Sequence, residues 1–196
     1  MMKKMILLFV ATLGFLGATN AQKIKVVSGD MKFMKDLAEI SVVFEFPDDM
    51  KYGKMTQEAY IKQEKDKREA KKEGDGEIWE DKFIGDREDF KSKFMYSMEK
   101  YAGDLYVVED DPDYKYTMIV KTTFTEPGFN FGFRSKESAI DLEISYVETE
   151  NMENVMAVMS IKKALGAAAP DKSMRVADAY FTAAQGLGKY LKKKVL

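Results

Sequence analysis

The chain contains no cysteine and no histidine. Without cysteine there is no disulfide, no thiol nucleophile and no acylated cysteine to carry a lipid, so a folded domain must be held together by its core. Without histidine no side chain has an ordinary pKa near neutrality, and the commonest transition-metal ligand is missing. Ser-His-Asp and Cys-His catalysis are excluded, as are zinc sites built from His and Cys. Carboxylate chemistry and calcium binding survive these exclusions. Long apolar runs are also lacking: the longest, residues 5–18, falls short of the roughly 20 residues that span a bilayer.

That run has a context of its own. Lys3 and Lys4 precede it, and small residues follow it, with Thr19 and Ala21 at the two recognition positions of a cleavage site. Residues 1–21 therefore read as a signal peptide, and the chain is expected to be exported to the periplasm or secreted, without a transmembrane anchor after cleavage. The formal net charge is -2, and removal of Lys3 and Lys4 makes it more acidic. A nucleic-acid partner, which would show as a basic patch on a basic domain, is not expected.

The clearest pattern lies in residues 116–147. Tyr116-Thr-Met118-Ile-Val120-Lys-Thr122 and Ile140-Asp-Leu142-Glu-Ile144-Ser-Tyr146 each alternate with period two, as strands with one buried face do. Ile40, Val42, Phe44 and Phe46 mark another strand, with Val43 interrupting its polar side and hinting at cover on both faces. Together with residues 24–27 it reads as an N-terminal antiparallel hairpin. Thr56 caps a helix running to about residue 73, with Glu58–Lys62 and Glu64–Arg68 spaced for ion pairs. Asp86 reads as the cap of a second helix carrying Phe90, Phe94, Met98 and Tyr101 on one face. Residues 105–108 and 155–161 read as strands. Asp171 or Ser173 opens a last helix with the stripe Val176, Tyr180, Ala184, Leu187 and Leu191. Gly186 and Gly188 leave that helix thin, at a cost of about 1 kcal/mol each relative to alanine.

Assembled, these elements predict an α+β fold. An antiparallel sheet of about five to six strands carries helices on one face, in a single domain over residues 22–196. A helical insert at 48–104 follows the N-terminal hairpin.

Residues 25–33, residues 116–132 (above all Thr122-Thr-Phe-Thr-Glu-Pro-Gly-Phe-Asn130) and the 177–184 stretch of the closing helix carry a resemblance. Over essentially the whole chain after the leader, the protein resembles a group of uncharacterised secreted proteins from Bacteroidetes-type Gram-negative bacteria. Its order of strands and helices is also similar to that of small envelope domains of the TolB N-terminal and LpoB type, in topology alone. The resemblance implies a location and a fold, and transfers no catalytic residue.

Candidate chemistry is sparse. Residues 109–113 hold four carboxylates in five positions and invite a calcium reading, but the spacing is not that of an EF-hand and suits a turn. Ser160-Ile-Lys-Lys163 matches an acylation motif without its partner motifs, at the end of a strand, and is rejected. Trp79, beside Ile78 and Phe83, reads as a packing anchor. No catalytic, metal-binding or cofactor-binding residue is assigned, and no cofactor is expected.

The best functional suspect is the segment joining the two central strands. Phe129, Phe131 and Phe133 alternate and would share one face of an extended chain, with Arg134 and Lys136 beside them. Burial would stabilise each ring by roughly 1.5–3 kcal/mol, so they belong inside unless something competes. If exposed, they form a recognition surface for an envelope protein or an apolar ligand. The function read from the sequence is accordingly a non-catalytic exported binding module, possible roles being cell-envelope assembly or maintenance. The alternative is a carboxylate-dependent hydrolase acting on envelope glycans, which would show a deep cleft with two facing carboxylates.

Overall fold

Hydrophobic alternation places the central strands where it predicts them. The computed structural model describes residues 22–167 and 169–196; the leader reading falls on residues 1–21, outside the described residues. In chain order the elements are β1 (Lys23–Gly29), a 3-10 turn (Met31–Met34), β2 (Glu39–Glu45), β3 (Lys51–Tyr52), β4 (Met55–Thr56), α1 (Gln57–Glu69) and α2 (Asp75–Tyr101). They continue with β5 (Tyr106–Glu109), β6 (Tyr116–Glu126), β7 (Phe129–Asn130), β8 (Ser135–Lys136), β9 (Ala139–Glu148), β10 (Asn151–Leu165) and α3 (Lys172–Lys194).

β6 and β9 pair antiparallel, with Val120 opposite Ile144 and Thr122 opposite Leu142. Their inward side chains, Met118, Val120, Ile140, Leu142, Ile144 and Tyr146, are buried. β10 adds antiparallel to β9, and β1 adds antiparallel to β10. On the other side of β6 the direction changes: β2 lies parallel to β6, and β5 lies parallel to β2.

The fold-class expectation is corrected here. The main sheet has eight strands in the order β1-β10-β9-β6-β2-β5, with β3 and β4 attached beside β6, and it is mixed parallel and antiparallel. The N-terminal hairpin does not form, because β1 and β2 lie four strands apart. Alternation reports which face of a strand is buried and is silent on its neighbour. The helices between β2 and β5 form the crossover that lets those two strands run parallel.

α3 packs against the sheet at β1, β9 and β10, and α2 lies along α3. The stripe expected on α3 is buried throughout, and Tyr180 stacks on Phe90 with ring centroids 5.2 Å apart while its hydroxyl bonds Thr122. Gly186 faces Gln22 and Ile24 at the sheet edge. Gly188 instead faces the backbone of Tyr101 and Ala102, so this second thin spot serves helix–helix contact. α2 also corrects an expectation, running unbroken through Asp86, whose carboxylate takes the Lys82 ammonium one turn back at 2.8 Å. Asp suits an i,i+4 pair as well as a cap, and the apolar spacing Trp79, Phe83, Phe90, Phe94, Met98 continues across it. Val43 lies opposite Ile119 on the sheet face away from the helices, and both are half-buried.

Candidate recognition hairpin

The chain leaves the sheet at Glu126-Pro127-Gly128. Gly128 has φ +61, and a Cβ there would strike the carbonyl of Lys136, so glycine is required on both counts. The Glu126 carboxylate accepts from Gly128 N–H at 3.2 Å and from Lys136 Nζ at 2.6 Å. β7 and β8 then pair, Phe129 with Lys136 and Asn130 with Ser135, as a small sheet separate from the main one.

A turn follows at residues 131–134. Phe131 N–H donates to Arg134 O at 2.9 Å and Phe133 N–H to Phe131 O at 3.0 Å. Gly132, at φ +82, donates to Asn130 Oδ1 at 3.0 Å. This turn breaks the extended conformation that would have aligned all three phenylalanines. Phe129 is half-buried and stacks on Phe131 at 5.3 Å, whereas Phe133 lies within the turn. Phe131 is 70% exposed and Phe133 89% exposed, and Arg134 is exposed as well. The burial that hydrophobicity alone favours is not realised at the hairpin tip.

The base of the hairpin is held by Arg175, a side chain of α3 that is 4% exposed. Its guanidinium donates to Ala169 O at 2.7 Å, Pro170 O at 2.8 Å, Pro127 O at 3.2 Å and Gly128 O at 3.5 Å. Ser138 Oγ, just past the hairpin, donates to Arg175 O at 2.6 Å. This anchor escaped sequence reasoning, since one arginine in the first turns of a helix carries no signal of the carbonyls it will meet.

A second aromatic cluster ties the α1–α2 arm to α3. Trp79 stacks on Phe83 at 5.2 Å, with the Arg68 guanidinium 4.6 Å from the Trp79 ring. Lys172 Nζ donates to Tyr60 Oη at 2.7 Å and sits 5.1–5.8 Å from the rings of Tyr60, Trp79 and Phe83. Burial holds the Lys172 ammonium below the usual lysine range and pushes the Tyr60 phenol up to about 12. Trp79 is thus part of a cation–π clamp. Beside it lies a cavity of about 20 Å³, lined by Phe46, Phe90 and the partnerless Ser173 Oγ, room for about one water.

A glycan hydrolase requires a deep cleft with two facing carboxylates. The groove between α2 and α3, of about 370 Å³, is lined by Asp89 and Asp178, but Asp178 faces Lys93 at 3.6 Å. A general acid in such an enzyme needs a raised pKa. Among the described residues two carboxylates are clearly shifted, and both go down. Asp30 is lowered by its bonds from Lys32. Burial raises Glu64, but the bond and charge of Arg68, with Lys67, outweigh it. The acidic segment at 109–113 forms a turn: Glu109 pairs with Lys91 at 3.0 Å, and Asp113 N–H donates to Asp111 Oδ1 at 3.0 Å. Among the described residues no group of three or more acidic side chains is placed to hold a metal ion. No helix among them is long and apolar enough to cross a membrane.

No protein-family model matches the chain, and no curated protein matches it. Among solved structures it is similar to a PelC dodecamer from Paraburkholderia phytofirmans, at 10% identity and a TM-score of 0.42 over 85% of this chain and 97% of that one. A point variant of the same dodecamer aligns at 10% identity and a TM-score of 0.39, over 86% and 98% of the two chains.

Proposed function

We propose that this protein is a non-catalytic interaction module, exported to the periplasm or secreted, whose contact surface is the 127–136 hairpin. Its role lies in cell-envelope assembly or maintenance. The observation that carries the reading is the exposure of Phe131 and Phe133 on a hairpin whose base is fixed by a buried arginine. Two large rings held in water forgo burial worth roughly 1.5–3 kcal/mol each, which a contact would recover. The leader pattern of residues 1–21 supports export.

Co-purification from the envelope fraction tests the reading. The wild-type chain is expected to retain a specific companion that a Phe129→Ser, Phe131→Ser, Phe133→Ser variant of normal folded content loses. Recovery of the same set by both chains would remove the hairpin from the function.

A further inference from the structure

We propose that the companion of this hairpin is an anionic lipid surface, into whose headgroup layer Phe131 and Phe133 insert. The proposal rests on the hairpin being the contact surface and adds the chemistry of what it contacts.

Shape comes first. β7 and β8 pair only with each other, and none of the five principal cavities is lined by any of residues 127–137. The rings therefore sit on a hairpin outside those five cavities, a shape that suits a deformable apolar layer.

Backbone satisfaction comes second. An N–H group that leaves water without a partner is costly in an apolar medium. At this tip the N–H groups of Phe131, Gly132 and Phe133 are all bonded within the hairpin. The tip can therefore shed water without stranding these donors.

Charge comes third. The chain has 33 acidic residues, yet the stretch from Gly128 to Lys136 contains none, and holds three phenylalanines with Arg134 and Lys136. Lys136 is matched by Glu126 at 2.6 Å, while the Arg134 guanidinium has no partner among the described residues. Aromatic rings beside an unmatched arginine are the composition of interfacial anchors: the rings enter the acyl boundary while the guanidinium stays among anionic headgroups. Attachment through one such tip is weak and reversible.

Flotation with vesicles tests the inference, using residues 22–196, which contain the whole described core. Binding is expected to vesicles of phosphatidylglycerol and phosphatidylethanolamine, and to fall for phosphatidylcholine alone and at high salt. Phe131→Ser, Phe133→Ser together should weaken partitioning roughly a hundredfold, and Arg134→Gln roughly fivefold. Because the chain has no cysteine, Ser135→Cys takes a single environment-sensitive dye, whose emission should shift to the blue on binding. Circular dichroism shows whether each variant is folded. No binding to either vesicle, or equal binding by the double variant, overturns the inference. Phenylalanine-dependent capture of an envelope protein by a chain that ignores vesicles overturns the lipid assignment and leaves the contact surface standing. Variants equal to wild type in both assays overturn both.

Discussion

Replacing Arg175 by methionine should destabilise the protein and release the hairpin from its base. The guanidinium is buried without a carboxylate partner among the described residues, compensated by four backbone carbonyls. The two bonds of 2.7 and 2.8 Å are the strong ones. Hydrogen bonds to a charged group contribute about 1.5–3 kcal/mol each, so this pair sets a gross loss of about 3–6 kcal/mol. Two effects reduce it. Methionine removes the cost of burying a charge, and the freed carbonyls of Pro127, Gly128, Ala169 and Pro170 are half-buried or exposed and can rehydrate. A net loss of about 2–3 kcal/mol remains, or about 4–12 °C in melting temperature for a domain of this size. Arg175→Lys should recover only part of it, since an ammonium cannot reproduce the planar fork. Urea unfolding measures the stability, and hydrogen exchange across residues 127–138 measures the anchoring. A methionine variant within about 0.5 kcal/mol of wild type, the range of ordinary surface substitutions, would refute the reasoning.

Phe131→Ser with Phe133→Ser should leave unfolding stability within about 1 kcal/mol of wild type, because Phe133 stands in water and Phe131 gives up only its stacking on Phe129; a larger loss in urea unfolding would mean that the tip supports the fold. Two helical glycines should respond oppositely to alanine. Gly85 has open space around it and should gain about 1 kcal/mol, whereas at Gly188 a Cβ meets Tyr101 and Ala102 backbone at 2.9 Å and stability should fall; thermal melts of the two variants decide this. Stability should also fall at high pH. Burial raises the phenols of Tyr52, Tyr146 and Tyr180 well above the usual range and that of Tyr60 to about 12. The fold keeps these protons where the unfolded chain releases them, so their contribution is full below about pH 10 and is lost above it, by about 1.4 kcal/mol per pH unit for each tyrosine. Lys172, lowered by burial, acts in the opposite sense over the approach to ordinary lysine titration. Part of the tyrosinate absorbance should therefore rise in a step that coincides with loss of circular dichroism, and ionisation of every tyrosine in a chain that keeps its circular dichroism would contradict the assignment.

Local sequence determined the pieces whose pattern reports directly on one buried face. Residues 116–126 and 139–148 alternate because one side of each strand lies under helices, and the Val176–Leu191 stripe recurs with the helical period because it faces the sheet. Thr56 and Asp171 cap helices through bonds to Ala59 and Met174 N–H, a signal confined to a few neighbouring residues. Partner choice was not local. That β2 takes two parallel neighbours and β1 pairs across the sheet with β10 follows from where the α1–α2 crossover returns the chain, and strand alternation is the same for either neighbour. The hairpin divides along the same line. Its composition, three phenylalanines with Arg134 and no acid between Gly128 and Lys136, was legible. Which rings face water was decided by tertiary structure alone. The turn at 131–134 breaks the alternation, and Arg175, 48 residues from Pro127 in the chain, fixes the base from which the tip projects.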